Sequence, residues 1–387
     1  MTTLEQTKPV EEPPAIEEEI QSGGEKIYVA PPWQLMWWRF RRHRMAVLSA
    51  VVLSVLYFIA LFCEFVAPYD PDEALIQFKQ VPPTAIHIFD AQGQWQFPFV
   101  YQHKRSMDPQ TFEIKVVEDT STRYPIEFFV KGFKYKLLGQ WETDIHLFGI
   151  PAGADKQGVF LLGTDRLGRD MVSRLFYGAR LSLSMGMASV FLSLILGVVL
   201  GGISGYYGGR VDLIIQRAIE FIRTIPTIPL YMTLSAALPN DWSVEQVYFG
   251  ITMIIALVGW TFVARVVRGR FLAMREEDFV LAARLNGSSE MRIILRHMLP
   301  SFLSYLIAAL TLNIPNMILA ETGLSFIGLG LRPPAISWGV LLQEALNLRS
   351  LVLSPWVLTP GFAVVLAVLA FNFLGDGLRD AADPYAR

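Results

Sequence analysis

The stretch EEDFVLAARLNGSSEMRIILRHMLP, Glu276 to Pro300, reads as two short polar helices joined at Asn286-Gly287. Glycine best tolerates the left-handed cap that ends a helix. Ser288 or Ser289 can cap a second helix running to Leu299, where Pro300 marks a junction. Alone, the pattern suits a DNA-reading helix-turn-helix. Its neighbours exclude that reading, because long apolar runs close on both sides hold the hairpin at a membrane surface. No nucleic-acid partner is expected.

Composition points the same way. Of 387 residues, 52% are hydrophobic and 18% charged, with mean hydropathy +0.38. A soluble domain carries nearer a quarter charged residues, so several membrane spans are expected. Residues 1–30 hold seven Glu against Lys8 and Lys26, are rich in Pro and Gly, and read as a disordered acidic tail. No basic start leads into an apolar stretch, so the tail is not a cleaved signal peptide.

A helix needs about 20 apolar residues to cross the hydrocarbon core. Residues 46–67 meet this, as do about 183–205, 247–265, 301–322 and 357–375. A sixth span, about 211–238, carries Asp212, Arg217, Glu220 and Arg223 and is broken by Pro226 and Pro229. Neighbouring helices can satisfy the backbone groups that proline frees, so six spans are expected. Four arginines in RFRRHR, residues 39–44, place the N-terminus in the cytoplasm. The arginines of 266–300 agree, which puts that segment on the cytoplasmic side as well. Arg166, Arg169, Arg174 and Arg180 would then lie outside, but a long loop translocates largely regardless of charge. Residues 31–45, with Trp33, Trp37, Trp38 and Arg41, suit a helix lying in the headgroup layer.

Within the second span Ser189, Ser193, Gly197, Gly201, Gly205 and Gly209 recur at every fourth position. Small residues at that spacing let two backbones approach closely in lipid. They mark a packing face whose partner helix the spacing does not name. Asn313, Asn316 and Asn372 are polar groups in apolar spans that either face a pathway or hydrogen-bond between helices.

Enzymatic chemistry finds no support. The five histidines lack metal-ligand spacing, and Cys63 stands alone in an apolar run. No phosphate-binding Gly-Lys pair, H-E-x-x-H or G-x-S-x-G occurs. Neither a cofactor nor catalysis is expected, and mid-span charge is too sparse for a proton-coupled carrier.

The segment LAARLNGSSEMRIILRHMLP resembles the cytoplasmic loop of permease subunits in ATP-driven, binding-protein-dependent importers. That pattern is E-A-A, a Gly four after the second Ala, then I-x-L-P. Ala282, Ala283, Gly287, Leu299 and Pro300 match it, whereas Leu281 replaces the Glu and His297 the Ile. WRFRRHRMAVLS, APYDP, LGTDRLGRDMVSRLFYGARLSLSMG, GYYGGRVD, ETGLSFIGLGLRPPAISWG and LGDGLRDAADP follow in order. Together they resemble the C-type permease of oligopeptide, dipeptide and nickel importers, over about 31–70 and 160–387. The resemblance implies an all-α polytopic fold with six transmembrane helices in a bacterial inner membrane. It also implies a heterodimer with a B-type permease, two cytoplasmic ATPases and an extracytoplasmic substrate-binding protein. In that family the loop helix docks on an ATPase. The role falls here to Asp278, Phe279, Leu281, Ala282, Ala283, Arg284, Leu285, Asn286 and Gly287 within the loop 276–300. Ala282 and Ala283 would give the helix a flat face. Glu321 is placed near an outer gate, either seeking a hydrogen-bond partner or bracing the turn that follows.

Residues 75–158 exceed the family's usual outer loop. Alternation at Phe112, Ile114 and Val116 and the segment IEFFVKGFKYKLLG suggest a small β-rich extracytoplasmic insert. Phe112, Phe128, Phe129, Phe133, Tyr135 and Trp141 are the expected core of that insert. The permease core is then 160–387. The open alternative is an exporter or channel-like membrane subunit.

Overall fold

A computed structural model describes residues 32–89, 93–107, 114–151 and 159–382. The acidic tail 1–30 and Phe112 lie outside the described residues. The chain opens with α1 (Pro32–Arg42), α2 (Arg44–Leu61) and α3 (Cys63–Val66). Helix α1 packs against the rest of the chain. Its Phe40 is buried against Ala46 and Ala381, so it packs on the far end of the chain, while Trp37 stays exposed.

After the insert come α4 (Met171–Tyr207), α5 (Gly209–Thr224), α6 (Thr227–Ala236) and α7 (Val244–Met274). The hairpin is α8 (Asp278–Leu285) and α9 (Glu290–Arg292), followed by a wider π-helical turn over Ile293–Met298. Then follow α10 (Leu299–Ser301), α11 (Leu303–Thr311), α12 (Ile314–Phe326), α13 (Trp338–Leu342), α14 (Leu348–Leu353) and α15 (Thr359–Ala382).

Among the described residues five helical segments are long and apolar enough to cross a membrane: Arg44–Leu61, Met171–Tyr207, Val244–Met274, Leu303–Phe326 and Pro355–Ala382. The sixth expected span, 211–238, is built as two helices, α5 and α6, which part at Ile225-Pro226. Proline has no N–H to continue the ladder and pushes the preceding residue out of the helical region. Neither piece reaches bilayer length. Helix α4 exceeds the expected 183–205 because Asp170 caps it early, accepting hydrogen bonds from the Ser173 N–H and hydroxyl, both at 2.7 Å.

The small-residue face of α4 meets α7. A β-carbon on Gly201 would stand 2.4 Å from the Ala264 carbonyl oxygen, and one on Gly197 would stand 2.4 Å from Val263 Cβ. Ser193 donates to the Ala256 carbonyl at 3.3 Å, and Ser189 to that of Thr252 at 3.4 Å. Gly205 lies against Arg268 and Phe271, whereas Gly209 falls beyond the helix end with open space around it.

The four arginines that strained the charge rule are each paired. Arg180 grips Glu64 with both terminal nitrogens, and Arg169 holds Asp165 at 2.6 Å. Buried Arg174 donates to the Pro71 carbonyl and sits 3.8 Å from Asp165 and Asp72, while Arg166 reaches Glu344 at 3.5 Å.

Among the described residues between α3 and α4 there are five strands: β1 (His87–Phe89), β2 (Trp95–Met107), β3 (Ile114–Pro125), β4 (Glu127–Leu137) and β5 (Trp141–Gly149). The first three make an antiparallel sheet in sequence order, and β4–β5 form a separate hairpin. Residues just outside the strands are tied to one another. Thr84 N–H donates to the Phe160 carbonyl at 2.8 Å, and Val81 N–H donates to the Thr164 hydroxyl at 2.8 Å. The buried residues of the sheets include Phe99, Tyr101, His103, Val130, Tyr135 and His146.

The expected aromatic core needs correction. Phe128, Phe129 and Trp141 are 71%, 67% and 61% exposed. Strand alternation fails there because Phe129 has φ +57° and the β4–β5 register shifts between Lys131 and Tyr135.

Glu321, on α12, is fully buried. It accepts hydrogen bonds from the Ser325 hydroxyl at 2.9 Å and the Ser182 hydroxyl at 3.0 Å. Those hydroxyls in turn accept from the backbone N–H of Leu331 and Trp338. One carboxylate thus organises α4, α12 and the segment leading to α13.

Two expectations follow. Gly201→Leu forces α4 and α7 apart and costs about 1–3 kcal/mol, read as a lower melting temperature in detergent. Glu321→Leu strands two buried hydroxyls and costs about 2–4 kcal/mol, while Glu321→Gln, which keeps an acceptor oxygen, loses less than half as much. Equal melting temperatures for both Glu321 variants would count against the bracing role.

Candidate coupling hairpin and transmembrane cavity

The turn after α8 is built as its sequence requires. Gly287 has φ +71°, the left-handed region open to glycine. Its N–H donates to the Arg284 carbonyl at 2.9 Å, and Ser288 N–H donates to that of Ala283 at 3.0 Å. This pair of bonds closes the helix as a Schellman motif.

The hairpin has an inner and an outer face. Val280 and Ala283 are buried in the main apolar core, joined by Ile293, Ile294 and Met298. Asp278, Phe279, Leu281, Ala282, Leu285 and Asn286 are exposed, Leu285 at 89%. The two alanines read as one flat surface therefore separate: Ala282 faces out and Ala283 faces in. They are adjacent in sequence and so about 100° apart around a helix.

The end of α4 and the start of α9 hold the hairpin from the side. Arg284 lies over the Tyr206 ring at 5.1 Å, and the Tyr207 hydroxyl donates to Glu290. Asp212, at the start of α5, is bound by two nitrogens of Arg268 on α7 and by the Ser204 hydroxyl. Sequence reasoning attached no role to Tyr206, Tyr207 or Asp212. The signal was present in GYYGGRVD, but the distant partners Arg284, Glu290 and Arg268 are contiguous with it only in space.

A second feature lies deeper. A cavity of about 650 Å³ opens between α5, α6, α7 and α12, walled mostly by apolar groups, with Tyr231, Thr261, Asn313 and Asn316 among its polar lining. Asn313 marks the break between α11 and α12, where Pro315 follows. Interrupted backbone at membrane depth is tolerated where it lines a cavity. Asn313 is 8% exposed, its amide nitrogen has no partner among the described residues, and its oxygen lies 3.5 Å from the Asn316 amide. Asn372 sits half-buried on α15 and does not line this cavity; nor does Glu321. Among the described residues no His, Cys, Asp and Glu cluster could hold a metal ion.

Known proteins resemble the chain over most of its length. Residues 31–85 match the model of the N-terminal TM domain of oligopeptide transport permease C. Residues 197–387 match that of the binding-protein-dependent transport system inner membrane component. The chain is 38% identical over 247 residues to the oligopeptide transport system permease protein OppC of Haemophilus influenzae, covering 64% of this chain and 76% of that one. It is 38% identical over 229 residues to the dipeptide transport system permease protein DppC of Bacillus subtilis, covering 58% and 68% respectively. A Brucella suis protein provisionally named a peptide permease is 42% identical over 226 residues, 58% of this chain and 72% of its own length. Among solved structures, an inward-facing MetNI methionine ABC transporter aligns over 55% of this chain and 98% of its own, at TM-score 0.42 and 18% identity. That likeness is too loose to carry an argument. The relatives and both family models agree, and the chain belongs to the binding-protein-dependent transport system inner membrane components, among the C-type permeases of peptide importers.

Proposed function

We propose that this chain forms half of a transmembrane pathway for peptides or peptide-like solutes and couples it to cytoplasmic ATPases through α8. The observation that carries the reading is the two-sided hairpin. Val280 and Ala283 anchor it in the bundle, while Leu281, Ala282 and Leu285 face outward. A rigid helix with one face buried among membrane helices transmits a push from a soluble motor. An exposed Leu285 beside small Ala282 suits a groove on that motor.

In this reading α5 and α6 together make the third of six crossings, and the N-terminus is cytoplasmic in a bacterial inner membrane. A B-type permease closes the open side of the cavity lined by Asn313 and Asn316, two ATPases bind below, and a substrate-binding protein docks on the outer side with the β-sheets. The chain itself hydrolyses nothing. The cavity offers a passing solute a mostly apolar wall with the Asn316 amide, the Tyr231 and Thr261 hydroxyls and the Arg223 guanidinium among its polar groups.

The clean test of coupling is Leu285→Asp. The side chain is 89% exposed, so folding and membrane insertion should be unchanged. Co-purification of the ATPase subunits and ATP-driven uptake in proteoliposomes should both fall at least tenfold. Wild-type uptake in this variant would refute the assignment. Ala283→Arg and Gly287→Pro are poorer probes. The first forces a charge into the core, and the second removes the Gly287 N–H bond, so both damage the hairpin itself.

The insert should be separable. The Thr84–Phe160 hydrogen bond brings its two ends together, so a short Gly/Ser linker in place of residues 86–158 can close the gap. Assembly with the partner permease and basal ATPase activity should survive. Loss of assembly would show instead that the sheets are part of the permease core.

A further inference from the structure

We propose that the exposed aromatic corner of β4, Phe128 and Phe129, is seated in the membrane, at the boundary between acyl chains and headgroups. The sheets would then be anchored to lipid as well as to the permease.

The position of these rings is fixed by α2 and α3. Apart from a break at Phe62 the chain is helical from Arg44 to Val66, and at 1.5 Å per residue it climbs about 30 Å by Phe65. That is the thickness of the hydrocarbon core, so with Arg44 at one boundary Phe65 stands at the other. The Arg180–Glu64 ion pair beside it marks the same level, since paired charges belong at a membrane edge. Phe129 lies against Phe65, with ring centroids 6.2 Å apart.

The corner also continues a surface that faces lipid. Leu48, Val51, Val55, Phe58 and Leu61 are 48–56% exposed and spaced three or four apart along one side of α2. Phe58 touches Phe62, with centroids 5.0 Å apart, and the apolar ridge runs on through Phe65 to Phe129. Phe128, at 71% exposure, extends it. Beyond the rings Lys131 is exposed, a residue whose stem can lie on apolar surface while its ammonium reaches headgroups. Two large rings turned outward at this height find in the acyl boundary what water denies them. The positive φ of Phe129 is the local cause, because it breaks the alternation by which Phe128 would share the packed face of Val130.

The test uses the full chain in phosphatidylethanolamine/phosphatidylglycerol liposomes. Nitroxide labels are placed at Phe128→Cys, Phe129→Cys, Leu61→Cys and Val117→Cys, all in a Cys63→Ala background. Labels at 128 and 129 should collide with oxygen several-fold more than with a water-soluble nickel chelate, as at Leu61. The label at Val117, on β3 and 54% exposed, should show the reverse. Nickel-dominated collisions at 128 and 129 would overturn the proposal. So would protection that appears only when a soluble binding protein is added, which would make the corner a protein docking site. Should cysteine at these positions unsettle the hairpin, p-benzoylphenylalanine in place of Phe128 gives an independent readout. A photoadduct with the mass of a phospholipid is expected, and adducts to protein alone would refute lipid seating.

Discussion

The bundle rests on the contact between α4 and α7. Without a β-carbon at Gly201 the backbone of α4 comes within van der Waals reach of the Ala264 carbonyl, and Gly197 and Gly205 extend that approach along the helix. Burial from water provides no drive between helices already in lipid, so dispersion and interhelical hydrogen bonds must hold them. Ser189 and Ser193 add such bonds to backbone carbonyls of α7. The same helix also carries attachments toward both of its ends. Its start is locked to α12 through Ser182 and Glu321, and its last turn presents Tyr206 and Tyr207 to the hairpin. Helix α4 thus touches α8 and α9 at one end, α7 along its length and α12 near its other end.

Charge is arranged by the same economy. The guanidinium groups of Arg180 and Arg268 each close on one carboxylate with two nitrogens, at opposite ends of the helix pair. Such forked pairs hold direction as well as charge. Arg166, Arg169 and Arg174, which look like a violation of the charge rule in the linear sequence, are neutralised by Asp165, Glu344 and Asp72. Counting basic residues in a loop treats them as free, and these are not.

The cavity and the hairpin differ in how visible they were. Asn313 and Asn316 stood out as polar residues in an apolar run, but only the kink at Asn313 brings both to one cavity while leaving Asn372 on another helix. The hairpin was legible from Asn286-Gly287 because a left-handed turn demands a particular residue at a particular place. Its orientation was not. Ala282 and Ala283 are chemically alike, and which of them faces the core depends on Phe271, Met298 and the rest of the apolar cluster.

What the sequence determined by itself was local. Apolar length marked the five helical segments long enough to cross a membrane, fourth-position spacing marked the packing face, and the glycine turn with its alanines marked the hairpin and the family. Each rests on the period of one element or the backbone demands of one residue. Tertiary structure decided what no period encodes: that the small-residue face meets α7, that Glu321 ties hydroxyls on α4 and α12, and that Phe128 and Phe129 turn outward. The last depends on a positive φ and a register shift, which break the alternation that strand reading assumes. Residues far apart in the chain become partners only when the fold sets their distance, and the chemistry of this permease is made almost entirely of such pairs.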